Sequence, residues 1–161
     1  MELNQLIDIM SGGIVESLYM TIVSTLLAYL FGIPLGVILF ITDKGGIAEN
    51  RKMNSILGIV VNLLRSVPFI ILLVAILPFT RFVVGTTIGA TATIVPLVVA
   101  ATPFVARMVE SSLKEVDGGV IEAALSMGSN NWQIITKVLL PEAKPSLIVG
   151  STIAITTILG Y

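Results

Sequence analysis

Long apolar runs separated by short polar breaks organise this chain. The first runs from Ser17 to Thr42 and is closed by Asp43. The second, Asn54 to Thr80, is interrupted once by Arg65, and the third, Phe82 to Ala106, carries no charge. A fourth begins at Pro145, after Lys144, and is still apolar at Tyr161. About 20 apolar residues cross ~30 Å of hydrocarbon as a helix. The pattern therefore predicts an all-α, polytopic membrane domain over residues 1–161, with spans at 17–42, 54–80, 82–106 and 145–161 and one long polar loop at 107–144. The last run is barely long enough to span, so a chain cut inside or at the end of a span is expected.

Ahead of the first run, Leu3, Leu6, Ile7, Met10 and Ile14 recur at helical spacing, with Glu2 and Asp8 elsewhere. This predicts a short helix lying in the membrane interface and ending near Gly12 and Gly13; the alternative is a frayed polar leader. A basic n-region and a small-residue cleavage site are both lacking, so the segment is not a signal peptide.

Composition agrees with lipid as the solvent. Hydrophobic residues make up 55% of the chain and charged residues 12%, against about 45–50% and roughly 25% in soluble domains. The chain has no histidine and no cysteine, which excludes Ser-His-Asp hydrolysis, HExxH metal sites and thiolate chemistry. An intramembrane enzyme is disfavoured further by the lack of paired acids within the runs. No cofactor is expected, and a net charge of −1 points to no nucleic-acid partner.

The basic residues are distributed asymmetrically. Lys44, Arg51 and Lys52 lie in the 43–53 loop, and Arg107, Lys114, Lys137 and Lys144 in the 107–144 segment; the opposite side has only Arg81. The positive-inside rule then places the N-terminus outside and both basic loops in the cytoplasm.

Within the spans, Ala28, Gly32 and Gly36 fall four apart on one face, as do Gly85 and Gly89 at the start of the third. Such stripes let helix backbones approach closely, either within the chain or at a dimer seam. Pro34, Pro68, Pro78, Pro96 and Pro103 predict bent helices. Arg65 admits two readings. Either its helix starts later and the side chain snorkels to the headgroups, or it serves a pathway or gate.

The polar loop predicts two short helices at an angle. Asp117 caps the first, which runs to Met127, and Gly128 stands where a left-handed C-terminal residue belongs. Asn130 caps the second, with Gln133 as its capping-box partner, and Pro141 ends it. A DNA-reading helix-turn-helix is excluded because Lys137 is the only basic residue between Lys114 and Lys144.

Glu122-Ala123-Ala124, then Gly128, then Leu140-Pro141 resemble the EAA motif of ABC-importer permeases, with Val138 where isoleucine is usual. Arg65-Ser66-Val67-Pro68-Phe69, Gly85 to Ala90 and Ala101 to Arg107 are similar to the methionine-uptake branch of that family. The resemblance implies a non-enzymatic subunit of the cell inner membrane that forms a pathway for methionine. It also implies two copies of an ATP-binding cassette subunit on the cytoplasmic face, a second copy of this chain, and an extracytoplasmic methionine-binding lipoprotein. A fifth span is expected from it. Glu122, Ala123, Ala124, Gly128, Trp132, Leu140 and Pro141 would then form the ATPase-coupling surface. A permease for another small solute and a membrane scaffold without transport remain as alternatives.

Overall fold

The structure, a computed structural model, describes residues 3–161, with side chains from Ile7 onward. Its elements are helical: α1 (Leu3–Thr42), α2 (Arg51–Ser66), α3 (Phe69–Val84), α4 (Ala90–Lys114), α5 (Gly118–Ser126), α6 (Asn131–Ile134), a π turn (Ile135–Leu139), α7 (Leu140–Glu142) and α8 (Lys144–Leu159). Among the described residues two helices, α1 over Ile7–Thr42 and α4, are long and apolar enough to cross a membrane alone. Counting the bent pairs α2–α3 and α6–α8 as one span each gives up to four.

The core is the seam between α1 and α4, and the small-residue stripe of α1 builds it. Ser24 and Ala28 are fully buried. A Cβ at Gly32 would meet Val105 at 2.5 Å, and one at Gly36 would meet the Ala106 carbonyl at 2.5 Å. The close approach is thus within the chain, and only glycine permits it. Val105, Ala106 and Val109 fill the other side and are completely buried. The buried Ser24 hydroxyl has no partner among the described residues, but three others in the apolar layer turn back on their own helices: Thr21 donates to the Ser17 carbonyl, Thr25 to Thr21 and Thr102 to Val98. This satisfies them without a partner from water or lipid.

Several expectations are corrected. No interfacial helix ends at Gly12 and Gly13; α1 runs through them for 40 residues, or ~60 Å at 1.5 Å per residue. Each glycine costs about 1 kcal/mol in a helix, too little to stop one whose flanks are strongly apolar. Of the residues invoked there, Glu2 lies outside those described. The second span is two helices meeting at 111°. Pro68 disfavours helical geometry for the residue before it, and Val67 is extended (φ −81°, ψ 125°). The helix of the third run starts later, at Ala90, and ends later, at Lys114, than the apolar run itself. Gly85 and Gly89 are not a helix face but a turn, with φ of +84° and +104°, and Gly85 ends α3 through a bond to the Arg81 carbonyl.

Asn50 caps α2 by accepting from the Met53 N–H. The Asn54 amide reaches back to the Leu39 carbonyl at 2.7 Å. The 43–50 turn is thereby tied to both helices it joins.

Candidate functional site

Two places carry residues singled out by the sequence: the 115–142 loop and the elbow between α2 and α3. In the loop, the Asp117 carboxylate accepts from the Gly119 N–H and starts α5. At its other end Gly128 is left-handed, φ +78°. The Gly128 N–H donates to Leu125 and the Ser129 N–H to Ala124, the pair of bonds that defines a Schellman motif. Asn130 and Gln133 then form a full capping box, at 2.9 and 3.0 Å. The N–H groups from Met127 to Asn130 across the break are therefore all bonded, which holds the two helices at a set angle.

Pro141 does not stop the second helix, which continues to Glu142. The preceding turn widens instead to π, with the Leu140 N–H bonding the Ile135 carbonyl. In a regular helix the Pro141 ring would press on the carbonyl four residues back, and the wider turn relieves this.

One face of the loop packs on the bundle: Ala124, Ile134 and Leu139 are buried, joining Leu113 and Ala143 in the core. Leu140 and Ile135 pack beside them, half-buried. Ala124 thus supports the loop from beneath, while Glu122 and Ala123 face outward. Trp132 is 73% exposed and Met127 79%. Apolar side chains this large, uncovered beside a small alanine, fit a partner surface. The sequence reading missed Met127, although an unbranched apolar residue directly before a helix-ending glycine was a visible signal.

It also missed the charge cluster at the loop's root. Glu110, 6% exposed, bonds Arg107 Nη1 at 2.7 Å and Lys114 Nζ at 2.8 Å. Lys114 reaches Asp43 at 3.1 Å, and Arg107 Nη2 donates to the Gly58 carbonyl. Three segments are thus joined: the end of α1, α2, and the foot of α4. The i−3 and i+4 spacing of Arg107 and Lys114 about Glu110 was legible as a helical ion-pair pattern. Asp43 is held below the ordinary carboxylate range, first by the Lys44 backbone N–H and next by Lys114. Glu49 is lowered by the Gly45 N–H and by Arg51.

Arg65 lies apart from the loop. Its helix starts earlier than the snorkelling reading required, at Arg51, and the residue falls in the last turn. It lines a cavity of about 300 Å³ at the elbow. A charge in the bilayer centre costs at least about 2.5–3.5 kcal/mol on insertion scales.

Residues 32–161 match the family described as "Binding-protein-dependent transport system inner membrane component". The chain is 53% identical over 146 residues to the probable D-methionine transport system permease protein MetI of Pasteurella multocida (strain Pm70), covering 91% of this chain and 67% of that protein. It is 50% identical over 149 residues to the D-methionine transport system permease protein MetI of Escherichia coli (strain K12), covering 92% and 69%. Its fold superposes with a TM-score of 0.97, at 47% identity, on a chain of the MetNI methionine ABC transporter in an inward-facing conformation, covering 100% of this chain and 74% of that one. The helical fold is shared with that solved chain, and with residues 32–161 matched the chain belongs to the family of binding-protein-dependent transport system inner membrane components.

Proposed function

We propose that this chain is the translocation subunit of an ATP-driven importer of methionine or a related amino acid. It hydrolyses nothing itself; energy enters through cassette ATPase subunits that dock on the 115–142 loop. The observation that carries this is the exposure of Trp132 and Met127 on a loop whose break at Gly128 is locked by backbone bonds on both sides. Glu122 and Ala123 form the rest of the contact. Ala124, Leu140 and Pro141 set the loop's seat on the bundle, and Arg65 belongs to the pathway. A second copy of the chain and an extracytoplasmic substrate-binding lipoprotein complete the machine. The N-terminus lies outside, with 43–53 and 107–144 in the cytoplasm, as the basic residues favour.

Trp132→Ala tests the docking. Removal of a central aromatic costs about 2 kcal/mol or more of binding, roughly thirtyfold in affinity. Co-purification of the ATPase and uptake of labelled methionine should both fall, at normal membrane levels. Wild-type values for both would remove the loop from the coupling role. Orientation is tested by single cysteines, since none is native. One at Ala48 or Ser129 should resist an impermeant reagent applied to intact cells, and one at Gly85 should react. External labelling at Ala48 would reverse the topology.

A further inference from the structure

The break between α2 and α3 makes a cavity as well as a bend. Leu64, Arg65 and Phe69 line it from the elbow, Ala100 and Phe104 from α4, and Tyr161 from beyond α8. Its volume of about 300 Å³ lies at the small end of the range for small-molecule sites. Ala100 and Phe104 sit ten and fourteen residues after Ala90 in a helix that ends at Lys114. At ~1.5 Å per residue the cavity is therefore ~15–21 Å from either end of α4, beside the middle of that helix.

Three features give the cavity its chemistry. Arg107 and Lys114 engage acids, whereas no described acid lies within ion-pair reach of Arg65. An ionisable residue inside a membrane bundle marks a substrate path or a ligand partner. Pro68 has no N–H, so the Leu64 carbonyl loses the donor a continuous helix would supply. Outside regular helix, the backbone bonds of residues 67–72 run only from Ile71 and Leu72 to the Pro68 carbonyl. Finally, the wall is aromatic: Phe69 and Tyr161 stack at 4.8 Å, with Phe104 alongside. Aromatic rings favour a polarizable thioether over a purely polar side chain.

We propose that this cavity is an intramembrane subsite for the amino-acid substrate. Arg65 forks onto the substrate carboxylate, the Leu64 carbonyl accepts from its ammonium group, and Phe69 and Phe104 hold an apolar or thioether side chain. The proposal deepens the importer reading and rests on it.

The test uses the complete transporter, with its ATPase and binding protein, in vesicles. Uptake of methionine is measured against two competitors: methioninamide, which lacks the carboxylate, and alanine, which lacks the long side chain. Arg65→Gln should raise the apparent KM for methionine at least about thirtyfold and let the amide compete as well as the acid. Arg65→Lys, a point charge without the fork, should fall between them, and it carries the test if Arg65→Gln does not accumulate in the membrane. Phe104→Ala should cut the preference for methionine over alanine about tenfold. An unchanged KM and unchanged rejection of the amide in Arg65→Gln would overturn the subsite. A wild-type transporter that moves no amino acid would instead sink the importer reading. Equilibrium binding of labelled methionine to the solubilised complex then decides the subsite by itself. Binding lost in Arg65→Gln supports it; equal binding, or none to wild type, overturns it.

Discussion

The 115–142 loop and the α2–α3 elbow are both helix pairs joined at a sharp break, one turning at glycine and the other at proline. At Gly128 the chain adopts φ +78° and the N–H groups from Met127 to Asn130 each find an acceptor. At Val67–Pro68 the chain stays extended, and a carbonyl is left without its helical donor. A glycine break can be finished by its own backbone, which suits a surface that must transmit force without yielding. A proline break leaves acceptors open, which suits a place where something else binds. Backbone hydrogen bonding alone therefore separates the proposed coupling element from the proposed receptive one.

The comparison can be broken most forcefully at the root of the loop. Glu110→Gln would leave Arg107 and Lys114 without their shared acid. Removing one partner of a buried pair costs about 3–5 kcal/mol; with Lys114 half exposed, about 2–3 kcal/mol is expected here. The thermal midpoint in detergent should drop accordingly, and ATPase capture with it. An unchanged midpoint would mean that the cluster does not brace the loop.

Next in size is Gly128→Val. A Cβ there would meet nothing within 4 Å, so the effect isolates conformation. Left-handed geometry costs a residue with a Cβ about 1–2 kcal/mol, more when β-branched. ATPase co-purification should fail at normal membrane levels, whereas Gly128→Asn should retain most of it. Equal behaviour of the two variants would refute the rigid-angle account.

Pro68→Ala probes the other break. It supplies the missing N–H and frees Val67 to become helical, so stability should change by no more than ~1 kcal/mol while methionine uptake falls. Full uptake would show that the open carbonyl is dispensable.

The smallest effect concerns pH. Asp43 has a lowered pKa in the fold, so its contribution is complete above the ordinary value of about 3.9 and is lost as pH falls through the folded value. Protease sensitivity of the 43–50 turn should be flat from neutrality to about pH 5 and rise only below about pH 4. A rise near pH 6 would implicate another group.

Much of this contrast was legible in the residues. Asn130 with Gln133 forms the capping box its spacing announces, and Gly128 is left-handed as its place after a helix suggests. Ala28, Gly32 and Gly36 pack against α4 because small residues four apart have few other uses in an apolar helix. The misreadings share a cause: hydropathy counts apolar residues and is blind to backbone geometry. Val67–Pro68 and Gly85–Gly89 both lie within runs that hydropathy joins, and conformational limits divide them. Conversely, Gly12 and Gly13 looked like a stop, yet nothing contacts them and the helix continues. Glu110 escaped notice because a single acid between two bases reads as surface until α1 and α2 are seen to cover it.

The π turn at Ile135–Leu139 has a consequence for how this loop tolerates change. Such a turn amounts to one extra residue in an otherwise regular helix. Deleting one residue from it would restore ordinary pitch and leave everything upstream at nearly the same bearing about the axis, because the wider turn is what absorbs the extra residue. Trp132 would then keep its outward bearing. What such a deletion brings back is the press of the Pro141 ring on the carbonyl four residues before it, so its damage should stay local to that turn.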